Sequence, residues 1–253
     1  MINLNFFLVS YDRLDDRAIE ALDDDEIKNI KCYAVQKSVP KKISNRVDTI
    51  NEWELNWNDY TYQQNQYYEY GTIVHLLNNP ELINDLTHIG ILHYDALFNK
   101  NSVNDIISKL NLEPNTIFYQ RIRHKDVLYL SQYELVNICK FMNEKMNLSI
   151  RAEDIWNNGW ISEALSVTPK EVFVKFGNFI IDNRTEIEDI LLKNRWGIMN
   201  NINHRICGII ERMWGIYLKS YGLPLLKMNI EHDWDSYVHK HQTEENWIKK
   251  IKV

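Results

Sequence analysis

Residues with chemical character stand where an apolar run gives way to polar side chains. Ile89-Gly90-Ile91-Leu92 is such a run, and it ends in His93-Tyr94-Asp95. A carboxylate at the mouth of a sheet can hold a hard divalent cation, Mg or Mn, with phosphate oxygens completing the shell. The ion would offset negative charge building on a departing diphosphate. His93 is a second candidate ligand, and Tyr94 reads more readily as a packed aromatic. Another run ends in Ser10-Tyr11-Asp12-Arg13, with polar, aromatic and charged groups suited to a nucleotide base and its ribose. The same residues also suit a plain loop entering an acidic helix N-terminus, where carboxylates favour the dipole.

A third pattern lies between His204 and Tyr221. Wound as a helix, Ile206, Ile209, Ile210, Met213, Trp214, Ile216 and Tyr217 make one broad apolar face, and His204, Gly208, Glu211 and Gly215 make a narrow stripe. Glycine inside a helix costs about 1 kcal/mol relative to alanine. Two glycines on the stripe of Glu211 therefore predict that another backbone or a ligand comes close there. Glu211 is a candidate general base; the competing reading is a surface carboxylate paired with Arg212 or Arg205. The tail Glu231 to His241 is rich in ligand-type residues, His239 among them, but has no defined zinc spacing. Trp53, Trp57, Tyr60, Tyr62, Tyr67, Tyr68 and Tyr70 form an aromatic cluster that could stack on sugar faces or pack a core.

The elements that must position these groups alternate. Strands are expected at 3–10, 31–39, 89–92, 116–119 and 170–181, and helices at 15–30, 60–77, 101–110, 131–146, 184–197 and 204–221. Asn78-Asn79-Pro80 is a natural helix stop. Such alternation predicts an α/β fold with a mostly parallel central sheet flanked by helices, whose ligands bind at the carboxyl ends of the strands. One domain over 1–230 is expected, with a polar tail over 231–253 packing on or near the site.

The 253 residues, 45% hydrophobic and 25% charged, suit a globular chain with one substantial core. A net charge of −6 with short, scattered basic clusters argues against a nucleic-acid partner. Cys32, Cys139 and Cys207 are far apart in apolar contexts, which points to a reducing, cytoplasmic compartment. Phe6 to Val9 lacks a basic leader and a cleavage site and is read as a strand, not a signal peptide. No apolar run approaches the roughly 20 residues of a transmembrane span, so any membrane association would be peripheral.

Three segments together resemble a family of bacterial and viral glycosyltransferase-like domains associated with capsular polysaccharide and glycan synthesis. They are Tyr68-Glu69-Tyr70-Gly71-Thr72-Ile73-Val74-His75 with Asn78; Ile89 to Asp95; and Gly177-Asn178-Phe179-Ile180 followed by Arg205-x-x-Gly208-x-x-Glu211-Arg212. The family pattern has Asn-x-Phe-Ile on a strand, one more residue between Gly and Glu, and often Arg where Asp95 stands. The resemblance spans about residues 60–220. It implies a GT-A-like fold and a hexosyl- or pentosyltransferase acting on a nucleotide-sugar donor and a glycan or other hydroxyl acceptor. Asp95, His93 and His239 would then serve a divalent cation, Tyr11, Asp12, Arg13, Tyr94 and Asp95 the donor, and Asn178 and Arg205 the acceptor. Glu211 would act as base in an inverting displacement. A non-catalytic nucleotide- or glycan-binding module and an interaction protein on the same fold stay open as alternatives.

Overall fold

Residues 2–10, 14–34, 39–54, 68–124, 130–193, 205–232 and 247–248 are described by the computed structural model. The chain opens with β1 (Leu4–Ser10), the one-turn helix α1 (Asp24–Ile27), β2 (Ile30–Ala34), β3 (Val39–Pro40), α2 (Lys41–Ser44) and β4 (Asp48–Asn51). It continues through α3 (Tyr68–Asn78), β5 (His88–Leu92), β6 (Ala96–Phe98), α4 (Ser102–Leu112), β7 (Ile117–Arg123), α5 (Gln132–Met146) and α6 (Ala152–Asn158). Then come β8 (Trp160–Pro169), α7 (Lys170–Asp182), α8 (Arg184–Lys193), α9 (Arg205–Ser220), β9 (Leu225–Lys227), β10 (Ile230–His232) and β11 (Trp247–Ile248).

Seven strands form one sheet in the order β4-β2-β1-β5-β8-β7-β9. Pairing is parallel throughout except on either side of β8, which runs against both β5 and β7. The sheet is therefore mostly parallel, as expected. Its two faces carry separate cores. Phe7 and Val9 of β1 join the cluster under α3, α5, α7 and α9, while Leu4, Phe6 and Leu8 join the one built with Leu14, Ile19, Val103 and Ile106. A strand buried on both faces reads as a continuous apolar run, which is why β1 and β5 are easy to recognise. Gly90 stands opposite Phe6 in register, and a Cβ there would meet the Phe6 ring at 2.5 Å. Its absence lets that ring turn edge-on to Phe98, with centroids 5.4 Å apart.

Two expectations are corrected. Residues 170–181 form a helix, not a strand. Val172, Phe173, Phe176, Phe179 and Ile180 are all buried, at the spacing of one helix face. Val, Phe and Ile favour strands only as far as packing agrees, and here the stripe docks on α3. Asn-x-Phe-Ile, a strand motif in the resembled family, is thus helical in this chain. The helix expected over 15–30 is instead a series of turns leading to the short α1. Leu14, Ala18, Ile19 and Leu22 are buried at helical spacing. The backbone, however, closes tight i→i+3 bonds, from Ala18 N to Asp15 O, Glu20 N to Arg17 O and Leu22 N to Ile19 O. Strand β8, the longest in the sheet, was not anticipated.

Long-range polar contacts tie the layers together. Glu26 is fully buried, and its Oε1 accepts from the Val103 and Asn104 amides at 3.1 and 3.3 Å, serving the start of α4 from 77 residues upstream. Among the described residues, no helix is long and apolar enough to cross a membrane.

His75 of α3 is fully buried, with its ring edge-on to Tyr33 at 5.5 Å. Burial depresses its pKa to about 3. Because the folded value lies below the unfolded one near 6.5, the unfolded chain binds the extra proton. The stabilisation is complete above about pH 6.5 and is lost progressively as pH falls towards 3. His75→Met should therefore flatten the acid limb of stability, by an amount on the order of 1–4 kcal/mol by pH 4. Urea midpoints between pH 7 and 4 for both proteins would check this; parallel curves would refute it.

Candidate functional site

The carboxyl ends of β1, β2, β4 and β5 share one edge of the sheet. Beyond Leu92 the chain turns back at once, with the Ala96 amide donating to His93 O at 3.0 Å. Within this turn His93 Nδ1 and Asp95 Oδ1 are 2.8 Å apart. The Asp95 side chain is 6% exposed and that of His93 22%, so one edge of the pair faces solvent. The Tyr94 ring lies against the His93 ring, centroids 4.4 Å apart and planes inclined by 40°. A carboxylate hydrogen-bonded to an imidazole fixes the ring orientation and its tautomer.

Two segments clamp the turn. On one side the Asp15 amide donates to Tyr94 O at 2.8 Å, and the Phe98 amide donates to Ala18 O at 2.9 Å. On the other, β6 pairs antiparallel with β10, which brings the His232 backbone opposite Ala96, one residue past Asp95. Asn99 adds side-chain bonds to Asn229 and Glu231 at 2.9 and 3.3 Å. Neither clamp was foreseen. Residues 15–18 carry a helix-like pattern, and the pairing of 230–232 joins parts of the chain too distant for any local signal.

Strand β8 enters the same edge beside β5. Ser166 pairs with both Ile91 and Tyr119, but the next pair on the β7 side is Ser162 with Arg121. Residues 163–165 of β8 face Gln120 alone, an irregularity in the ladder. Bulges of this kind concentrate beside active sites.

Glu211 lies on α9, which packs across β8. Arg212 Nη1 donates to Glu211 Oε2 at 2.5 Å and to Gly208 O at 3.0 Å, and its guanidinium stacks 5.0 Å over the Trp160 ring. Glu211 is thus tied through Arg212 to the start of β8, one strand away from β5. Its side chain is 23% exposed. The close approach predicted from the glycine stripe is present at Gly215, where a Cβ would stand 1.6 Å from Ile161 O. Asn178 is exposed on α7, and Arg205 begins α9. Tyr11, Asp12, Arg13 and His239 lie outside the described residues. His93, Tyr94 and Asp95 are therefore the expected site residues that the structure brings together.

The His93–Asp95 donor set suits a divalent ion. Imidazole suits the later first-row ions, while the carboxylate oxygen, like those of phosphate, suits Mn and Mg. Among the described residues no group of three or more His, Cys, Asp or Glu could hold an ion. Phosphate oxygens would have to contribute.

No family model and no curated protein matches the chain. Among solved structures it is similar to the apo form of the bifunctional glycosyltransferase WbbM, with a TM-score of 0.55 and 12% identity over 91% of this chain. The match covers 45% of the WbbM chain, so this chain spans less than half of that protein. Similarity is lower to the mannosyltransferase Ktr4p from S. cerevisiae, with a TM-score of 0.46, 9% identity, and coverage of 91% of this chain and 71% of that one. It is lower too to the Mn/GDP form of core-mannan synthase A from Aspergillus fumigatus, at 0.47 and 11%, covering 91% and 75%. The fold is of the GT-A glycosyltransferase type, as expected from sequence.

Proposed function

We propose that this chain transfers a sugar from a nucleotide-sugar donor to a hydroxyl acceptor, a glycan being the natural candidate. The observation that carries the reading is the His93–Asp95 pair, held at the carboxyl end of β5 in a fold of this type. There the pair would hold a divalent ion, Mn or Mg, and His239 would be a further ligand. When bound, the ion supplies charge that stabilises the departing diphosphate. Tyr11, Asp12, Arg13 and Tyr94 would hold the nucleotide end of the donor. Asn178 and Arg205 would lie on the acceptor side.

In this reading the acceptor hydroxyl attacks the anomeric carbon as its bond to the diphosphate oxygen breaks. The hydroxyl proton passes to Glu211, and the nucleoside diphosphate leaves. A single displacement of this kind inverts the anomeric centre. Glu211 has the Arg212 partner named by the competing reading, and the ion pair holds its carboxylate in one orientation.

The test is a thermal-shift screen of UDP-, GDP-, CMP- and dTDP-sugars with and without Mn²⁺, followed by an assay of nucleoside diphosphate release. A ligand at a hundredfold excess over its dissociation constant stabilises the native state by about 2.7 kcal/mol. A metal-dependent shift with turnover is expected for one donor class. Glu211→Gln should retain the shift and lose turnover. Donor binding without turnover would instead favour a non-catalytic module, and no shift with any donor would defeat the proposal.

A further inference from the structure

The Asp15 side chain is wholly buried although it sits in a loop. It accepts three bonds from one residue: Arg17 N and Nε at 2.9 Å each to Oδ1, and Arg17 Nη2 at 2.6 Å to Oδ2. The guanidinium is one-third exposed. A buried ion pair is a poor source of net stability, because desolvating two charges offsets most of their attraction. A forked guanidinium gripping both carboxylate oxygens does, however, fix orientation closely.

What it orients is specific. The Asp15 amide bonds Tyr94 O, the carbonyl between His93 and Asp95, and Ala18 O takes the amide of Phe98. Residues 15–18 therefore bond the polar turn at Tyr94 and the end of β6 at Phe98, and the ion pair sets the shape of the grip. We propose that Asp15 and Arg17 are positioning residues for the His93–Asp95 pair, acting through the Tyr94 carbonyl. The inference rests on the reading of that pair as a cation and diphosphate site. Neither residue has to touch the donor. Their effect is to keep the turn in the shape that holds Asp95 against His93 Nδ1, so that the imidazole keeps one orientation.

The test uses the full chain with Arg17→Lys and Arg17→Gln. Lysine keeps the charge but cannot fork; glutamine loses both. Each protein is first assessed by thermal unfolding, and Mn²⁺ affinity is then measured by titration with a nucleoside diphosphate present, at a temperature where all are folded. Donor turnover is measured separately for kcat and KM. Direct outer partners of metal ligands change metal affinity or activity by about 10–100-fold, and Arg17, one bond further out, should reach the lower end of that range. Arg17→Gln should weaken Mn²⁺ binding by that factor and lower kcat more than it raises donor KM, with Arg17→Lys intermediate. Variants that are folded and match the wild type in Mn²⁺ affinity and kcat would overturn the inference, even if their unfolding temperatures fall. Wild-type protein that neither binds Mn²⁺ nor turns over a donor would defeat the underlying reading, and the inference with it.

Discussion

Asp95→Asn is expected to leave a folded protein that transfers sugar about 100- to 1,000-fold more slowly. The substitution keeps the size of a side chain that is 6% exposed, so the turn and its two clamps should persist. It removes the charge. It also replaces the acceptor facing His93 Nδ1 at 2.8 Å with an amide that can either accept or donate, so the ring tautomer is no longer held. A preorganised charge aimed at a developing diphosphate is worth more in the transition state than in the ground state. Its loss should therefore fall on kcat more than on KM, with a magnitude like that of removing one fixed electrostatic partner, about 10²–10³. The measurement is donor turnover with Mn²⁺ present and absent, beside the unfolding midpoint. Undiminished activity in Asp95→Asn would remove the diphosphate role from this turn.

Gly215→Ala should cost stability heavily, about 3 kcal/mol or more, near the upper end for overpacking. The sign is opposite to helix propensity, which favours alanine by about 1 kcal/mol. The new methyl carbon would lie 1.6 Å from Ile161 O and 2.9 Å from the Trp160 ring. That carbonyl cannot retreat freely, because Ile161 pairs with Ile122 in the β7–β8 ladder. Instead α9 must lift, loosening the Trp214 Nε1 bond to Ser166 Oγ and the stacking of Arg212 on Trp160. Gly177→Ala makes a sharp control. Its methyl would come 2.0 Å from Leu77 Cδ1, the far end of a side chain that can rotate away. Urea denaturation should show a much larger loss at 215 than at 177; equal losses would mean that the sheet backbone yields as readily as a leucine.

What could be read from the sequence follows how each element is patterned. Strands β1 and β5 announce themselves because both faces are buried and the runs are unbroken. Helix α5 does so through a capping box, in which Ser131 and Glu134 satisfy each other's backbone amides. Strand β8 is hidden because buried Ser162, Ser166 and Thr168 interrupt its apolar run. Its bulge further breaks the two-residue period. Helix α7 was misread because Val, Phe and Ile dominate it, while the partner that decides the matter, α3, lies nearly a hundred residues earlier. For the site, the turn after β5 was visible as a polar end to an apolar strand. Its supports were not. The Asp15–Arg17 grip looks like one turn of helix, and the β6–β10 pair depends on register alone.

The antiparallel seating of β8 also bears on how the newly made chain survives. Strand β5 finds its first partner in β1, already synthesised, but Ile91 meets Ser166 of β8 only 75 residues later. At about 5–20 residues per second, the ribosome takes several seconds to close that gap. For that time a wholly apolar strand presents an unpaired backbone edge, the kind of surface through which chains join one another. Yield of soluble protein should therefore depend on holdase chaperones engaging the nascent chain between the emergence of β5 and that of β8.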